Sequence, residues 1–415
     1  MQTRRRTRRT LVALGLVTAT LAGTAGAAQA GPADPGTERR QGGHAVTQRA
    51  MDSLVAGGVP GITGQARDER GAWAGTSGIG NLKTGAPRGA EDRFRIASVT
   101  KTFVATVLLQ MESEGRLDLD DTVDRHLPGL VRGNGHDGRL MTVRQLLNHT
   151  SGVFNYDEDP AYAEKYHFVP GFLKHRYDTR TPEEAVRVAL RHAPHHQPGQ
   201  GWHYSNTNYV LAGLIIEKVG GRTYEREVRD RIVKPLGLKE TTLPGNSSRM
   251  PQPSSRAYSK MSPDPAATRI YDVTLNNASQ SWADGDIIST AADLNRFFGA
   301  LLGGKLLAPA QLAAMKTTVP VEGSFPGTGY GLGLIRSTTS CGTKLWGHGG
   351  GWYGSLTGVY STEDGRHGLA YNLNGDWYRG QANAISEAEF CGVEPTRAAG
   401  GASASEDAPR TPGNR

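Results

Sequence analysis

The sequence predicts an α+β protein in which one sheet is assembled from both ends of the chain around a mainly helical middle. Two short strand-like runs, near 61–67 and 72–78, stand close to the N-terminus and are separated by the turn "DERG". Four more, "GYGLGLI", "KLWGH", "SLTGVYS" and "HGLAYNLN", stand close to the C-terminus. Residues 116–285 between them are loop-rich, with short helical patterns. Strands need partners and an apolar face to bury, so joining the terminal strands in one sheet, with the helical region inserted, is the economical arrangement. The folded unit is expected over 44–395. Residues 44–115 and 286–395 would form the α/β part, and 116–285 the helical part.

The elements follow in order. A first helix is expected around 44–56, where Val46, Met51, Leu54 and Val55 form an apolar stripe. A second runs from Ser98 to about Glu114. It carries Phe103, Val104, Val107, Leu108 and Met111 on most of its faces, so it should be central, and Gly115 suits its C-cap. Shorter helices are placed near 142–148, 181–192, 206–219 and 223–233. "STAADLNRFFGALLGG" starts another, with a Ser/Thr cap and Asp293 in its first turns. A last helix is expected over roughly 379–391.

Composition narrows the class. The 415 residues are 37% hydrophobic, enough for a real core. The formal charge is +7, but Arg4, Arg5, Arg6, Arg8 and Arg9 supply five of those charges, and residues 1–30 hold no acid. Removing these five leaves +2, with no basic patch for nucleic acid. "MQTRRRTRRT", a diluted apolar run and "AQA" at 28–30 read as an export signal, by the general or the twin-arginine route. The apolar run is too short and weak to be a membrane anchor. A secreted protein with no membrane anchor, a monomer, is expected. Residues 31–43 read as a flexible leader and 396–415 as a disordered tail. Cys341 and Cys391 are the two cysteines, and an even pair in an exported chain suggests one disulfide, tying a strand to the final helix. The run "RHAPHHQPG" lacks the spacing of a zinc motif and reads as a solvated loop, so no metal and no cofactor is expected.

Three short elements carry chemistry. Ser98 and Lys101, in "SVTK", are three apart, one helical face, within reach of each other. A serine hydroxyl needs a base to become a nucleophile, and a lysine can be that base if burial or neighbouring positive charge favours its neutral form. Backbone N–H groups at a helix start also favour developing negative charge. Tyr204 and Asn206, in "HYSNTNYVLAG", combine a phenol able to shuttle protons with an amide able to both donate and accept. His348, Gly350 and Gly351, in "KLWGHGGGWYG", lie where a strand ends, and glycines there allow a substrate backbone to approach. Each has an ordinary explanation alone: a helix cap, a packed tyrosine, a glycine turn.

Together, and in this order, Ser98-x-x-Lys101, Tyr204-x-Asn206 and His348-x-Gly350 resemble the three motifs of the penicillin-recognising serine hydrolases. They are most similar to secreted D-alanyl-D-alanine carboxypeptidases and class C β-lactamase-like enzymes. "RFRIASVTKTFVA", "LDLDDTVDRHLPGL", "TVRQLLNHTSGV", "IVKPLGL" and "WGHGGG" extend the likeness over about 45–393. The resemblance implies a β-lactamase/transpeptidase-like fold, an antiparallel sheet flanked by helices. It implies attack by Ser98 on a carbonyl, with Lys101 and Tyr204 sharing the proton transfers. The N–H groups of Ser98 and Gly351 would form the oxyanion hole, and Asn206 would hold the substrate amide. His348 would support Tyr204 electrostatically, and Trp282 would wall the site. The implied substrate is a D-amino-acid peptide, a β-lactam or an ester. A D-alanyl-D-alanine carboxypeptidase is the leading expectation, and a D-aminopeptidase, amidase, esterase or β-lactamase the alternative. Two departures bear on that choice. Gly349 stands where several carboxypeptidases have threonine, and Ile335 stands where they carry an arginine for the substrate carboxylate. Arg336, next door, should point to the opposite face unless a bulge shifts it. An α/β-hydrolase is set aside because no G-x-S-x-G occurs. A non-catalytic binding module fits poorly with an intact Ser98, Lys101 and Tyr204.

Overall fold

The computed structural model describes residues 44–321, 328–377 and 382–395. The expected export signal, leader and tail lie outside the described residues, as does the start of the expected last helix. Helix α1 (Ala45–Ala56) leads into the hairpin β1 (Gly61–Asp68) and β2 (Gly71–Asn81), followed by β3 (Ala86–Pro87). Helix α2 spans Thr100–Ser113, α3 Pro182–Ala189 and α4 Asn206–Gly220. Helices α5 (Ala291–Leu302) and α6 (Pro309–Lys316) precede β4 (Val319–Pro320), β5 (Gly329–Tyr330), β6 (Ile335–Thr338), β7 (Lys344–Trp352), β8 (Ser355–Thr362) and β9 (Gly368–Leu373). Helix α7 closes the order at Asn383–Cys391.

The sheet runs β4-β5-β6-β7-β8-β9-β1-β2-β3, antiparallel throughout. The two chain ends meet where β1 pairs with β9, from Ile62 opposite Leu373 to Arg67 opposite Gly368. Alternation along β9 divides the core. Leu369, Tyr371 and Leu373 pack with Met51 and Leu54 of α1 and Ile385 of α7. Ala370 belongs instead to the large core built on α2, α4 and α5. There Phe103 and Phe297 stack at 3.7 Å.

Helix α2 is buried on nearly every side. A Schellman-type closure ends it: Gly115 takes a φ of +69° and the Arg116 N–H donates to Met111 O at 3.0 Å. Ser98 precedes α2, in a 3₁₀ turn over Ala97–Val99, rather than opening the α-helix as expected. The strand expected at "GYGLGLI" also differs. Gly331–Leu334 form a turn between β5 and β6, with Gly333 at a φ of +66°. A Cβ on Gly333 would lie 2.7 Å from Ala105 Cβ and 2.8 Å from Tyr209 Oη, so this turn is seated on α2 and α4. Thr102 Oγ1 donates to Gly333 O at 2.7 Å and fixes it there. The strand expected to end at His348 continues to Trp352.

Cys341, in the turn between β6 and β7, is bonded to Cys391 at the end of α7. Glu389, on the same helix and buried, accepts from His44, Thr47 and His367 at 2.7–3.0 Å. Burial pushes its carboxyl up, but these three bonds prevail and hold it down to about 2. No helix among the described residues is long and apolar enough to cross a membrane.

The disulfide closes a loop of 50 residues. A Cys341→Ser/Cys391→Ser double variant is expected to fold but to lose about 2–4 kcal/mol, read from urea unfolding. A variant as stable as the parent would show that the final helix is held by Glu389 and packing alone.

Candidate active site

Ser98 lies in a turn whose backbone is held from two sides. The Ile96 N–H donates to Ile287 O at 2.9 Å, and Ser355 Oγ of β8 donates to Arg95 O at 2.8 Å. Ala97 takes a φ of +49°, a left-handed conformation costly for a residue with a Cβ. Strand β7 presses on this turn. A Cβ on Gly350 would lie 2.1 Å from Ile96 O, so only glycine permits the approach.

The strand also offers its backbone. The loop between β7 and β8 has two residues, Tyr353 and Gly354, and closes on the pair Trp352 and Ser355. Such a closing pair is hydrogen-bonded, and alternation then turns the N–H and C=O of Gly349 and Gly351 toward the other edge of β7. Strand β6 pairs with β7 only as far as Gly347. The edge beyond has no strand partner among the described residues, which leaves the Gly351 N–H open.

Lys101, wholly buried, reaches back one turn to Ser98. Its Nζ lies 3.0 Å from Ser98 Oγ, 2.7 Å from Asn206 Oδ1 and 2.8 Å from Asp284 O. No carboxylate lies within ion-pair distance of it among the described residues. Asn206 is orientated by its two neighbours, since Oδ1 faces Lys101 and Nδ2 donates to Asp157 Oδ2 at 2.8 Å. Burial pushes the Asp157 carboxyl up, but His167, Arg180 and Asn206 hold it below its ordinary value. Asp284 behaves oppositely. Burial raises its carboxyl to about 6, even with Lys101 and Arg180 near, and Tyr156 donates to it at 2.6 Å. Asn155 Oδ1 accepts the first N–H of α4, from Asn206, at 3.0 Å.

The Tyr204 ring lies 5.0 Å from Lys101 Nζ and 4.2 Å from the ring of His149. His149 is buried, with a φ of +62°. Its Nδ1 accepts from the Ser205 N–H at 3.2 Å and Asn208 Nδ2 at 3.0 Å, which places the ring proton on Nε2. Nε2 therefore donates to Tyr330 Oη at 3.2 Å, and Tyr330 donates onward to His348 Nε2 at 2.8 Å. His348 Nδ1 completes the chain by donating to Gly349 O at 2.5 Å. Burial holds His348 down to about 3 and His149 well below the usual range. Both rings are neutral at neutral pH.

Ser98, Lys101, Tyr204 and Asn206 are thus gathered, with Gly350 and Gly351 beside them. His348 is present in a different capacity. It is a neutral link to Tyr330, not a cation supporting Tyr204. Trp282 does not wall the site. Its indole packs against Tyr224 and Gly213 and donates to Glu225 at 3.2 Å. What its segment supplies is the Asp284 carbonyl. The ladder through Ile335 and Arg336 is unbroken, so no bulge brings Arg336 onto the face of Ile335. The histidine run expected as a solvated loop is packed instead. His192 stacks on Phe154 at 4.1 Å and bonds Asp159 at 2.8 Å, and His195 stacks on His203 at 3.4 Å. Sequence reading missed His149, Tyr330, Asp157 and Asp284. Two of them had a signal, His149 within "LLNHTSG" and Tyr330 within "GYGLGL".

Comparison with known proteins agrees with this geometry. The family described as Beta-lactamase matches residues 45–385. The structure of a D-stereospecific amidohydrolase from Streptomyces sp. is 53% identical, with a TM-score of 0.80, and the match covers 84% of this chain and 99% of that one. The D-amino acid amidase of Ochrobactrum anthropi SV3 is 28% identical, with a TM-score of 0.71, over 83% of this chain and 95% of that one. Penicillin-binding protein 4* of Bacillus subtilis is 28% identical over 292 residues, 68% of this chain and 60% of that relative's length. A serine and a buried lysine in contact, an open glycine strand edge beside them, and a family match over the whole folded region lead to one conclusion: the chain belongs to the beta-lactamase family of serine hydrolases.

Proposed function

We propose that this protein is an exported serine amidohydrolase that cleaves amides and peptides of D-amino acids through an acyl-Ser98 intermediate. The observation that carries the substrate class is the 53% identity with the Streptomyces D-stereospecific amidohydrolase across 99% of that chain. The export rests on the first 30 residues.

The three contacts of Lys101 also suit an ammonium that donates to each; for the neutral form that the base role requires, hydrogen-bond valence fixes where the lone pair points. A neutral amine has two N–H groups and one lone pair. Asn206 Oδ1 and the Asp284 carbonyl can only accept, so they take both N–H groups. The lone pair is left for the Ser98 hydroxyl, 3.0 Å away. Ser98 Oγ transfers its proton to Nζ as the Oγ–C bond forms, and the oxyanion receives the N–H groups of Ser98 and Gly351. As the C–N bond breaks, the leaving amine takes the proton from Lys101, with Tyr204 beside the path. Water then repeats the sequence in reverse on the ester.

The D-alanyl-D-alanine carboxypeptidase reading is second. Its support is the set of penicillin-binding relatives. Ile335 weighs against it, because that reaction needs a cation for the substrate's free carboxylate.

Incubation with an activated D-aminoacyl ester or a labelled β-lactam is expected to leave one adduct, mapped by mass spectrometry to Ser98 and absent in Ser98→Ala. An adduct elsewhere would overturn the mechanism. Lys101→Gln is expected to slow acylation by about a hundred- to ten-thousand-fold. Release of amine from a D-aminoacyl amide should exceed release of D-alanine from a D-Ala-D-Ala peptide, and the reverse order would favour the carboxypeptidase.

Gly350→Ala should leave a folded protein, destabilised by about 1–3 kcal/mol, whose kcat collapses because the Ser98 turn must move. Unchanged kcat would show that the contact with Ile96 is not needed.

His348 gives a pH test. Its folded value, about 3, lies below the ordinary histidine value of 6.5. Such a group contributes stability that is complete above pH 6.5 and lost as pH falls toward 3, by up to about 1.4 kcal/mol per unit. His348→Gln is expected to flatten the stability profile in that window. A variant profile parallel to the parent's would place the acid sensitivity elsewhere.

A further inference from the structure

We propose that Glu158, His195 and His203 form a binding site for one borderline divalent transition cation, of which Zn²⁺ is the reference, on the rim of the catalytic site. One ligand atom from each of the three lies within 4.8 Å of the others. Glu158 divides its carboxylate between the imidazoles. Oε1 is 3.0 Å from His203 Nε2, and Oε2 is 3.3 Å from His195 Nε2.

His195 makes the case for a cation. Its Nε2 accepts the backbone N–H of Asn155 at 3.4 Å, so a lone pair sits on that nitrogen. The same nitrogen faces a carboxylate oxygen. Two acceptors in contact repel unless positive charge stands between them. The rings of His195 and His203 stack 3.4 Å apart, which brings both Nε2 atoms onto the one carboxylate. A metal ion supplies that positive charge once: it would take the His195 lone pair in place of the long Asn155 N–H contact, the His203 Nε2 lone pair with that ring's proton on Nδ1, and a carboxylate oxygen of Glu158. Two imidazoles and one carboxylate are a zinc-type donor set that leaves a fourth position for water, and imidazole disfavours Mg²⁺ and Ca²⁺.

The three donors come from segments that are already held. Glu158 ends the 3₁₀ turn Tyr156–Glu158, and Asn155 Nδ2 donates to its Oε1 at 3.3 Å. The His195 N–H donates to Gly152 O at 2.9 Å, and the His203 N–H to His149 O at 3.1 Å. The side chains retain 14%, 19% and 23% exposure, which gives an ion access and lets the rings splay to converge on it. Glu158 follows Asp157, the partner of Asn206, and His203 precedes Tyr204. An ion here would therefore clasp the two segments that present Asn206 and Tyr204.

The test uses the whole chain after chelator treatment, with Zn²⁺ as the only added ligand in calorimetry and Co²⁺ as a spectroscopic probe. One Zn²⁺ per chain is expected, with a raised unfolding midpoint and a visible Co²⁺ band of four- or five-coordinate type. Glu158→Gln and His203→Gln should each weaken binding at least about tenfold, while the midpoint without metal stays near the parent's. Ser98→Ala should bind as the parent does. Absence of saturable binding, or parent-like affinity in Glu158→Gln, would overturn the proposal. Should either variant fail to fold, the Co²⁺ spectrum of the parent decides: an octahedral, weakly absorbing ion would overturn the site.

Discussion

One buried amine organises the catalytic half of this molecule. Lys101 lies inside the protein with no carboxylate in contact among the described residues, and its three hydrogen-bond directions end on three different chain segments. An unsatisfied polar group there would cost several times what an ordinary hydrogen bond contributes, so each acceptor must be delivered accurately. Much of the surrounding structure serves that delivery. Asn155 anchors the start of α4, Asp157 turns the Asn206 amide, and Tyr156 and Ser281 hold the Asp284 side chain while its carbonyl faces the lysine. The asymmetry between the two aspartates follows from their partners. Burial pushes both carboxyls up and both have cations near, but His167 and Asn206 also bond Asp157 and hold it below its ordinary value, whereas the neighbouring Asp157 charge helps to keep Asp284 raised.

A second constraint sets Ser98 against the strand. Ala97 in a left-handed conformation is locally unfavourable, and it persists because the backbone just before it is bonded to Ile287 and Ser355. The glycines of β7 then close over it. The neutral chain from His149 through Tyr330 to His348 and Gly349 O connects the segment that carries Tyr204 to this strand without any charge. Positioning by neutral, directional bonds leaves the local potential to the reacting groups.

Residue pattern and spacing made much of this legible. Apolar runs located α2 and α4, strand-like runs at both ends located the sheet, and three short motifs located Ser98, Lys101, Tyr204, Asn206 and Gly350. Other features resisted reading for identifiable reasons. "GYGLGL" alternates like a strand, but it is the fit of Gly333 against Ala105 and Tyr209 that makes it a turn. Trp282 resembles a wall residue in sequence, while its indole direction depends on Tyr224 and Gly213, 58 and 69 positions earlier. The Asp284 carbonyl has no signature, because any residue type could supply it. The histidines of "RHAPHHQPG" have no metal spacing among themselves, and their partners Glu158 and His203 lie outside the run.

The joint between β1 and β9 also orders events in time. Residues 61–68 come early in the chain and 368–373 come almost last, yet each completes the other's ladder. A growing chain therefore holds an unfinished edge strand through most of its synthesis, and pairing across so long a separation is slow. The serine, the lysine and the asparagine are all delivered before the strand that bears Gly351. On the proposed mechanism, hydrolytic competence is thus the final step of assembly, and an incomplete chain would carry a nucleophile with nowhere to place the charge it would create.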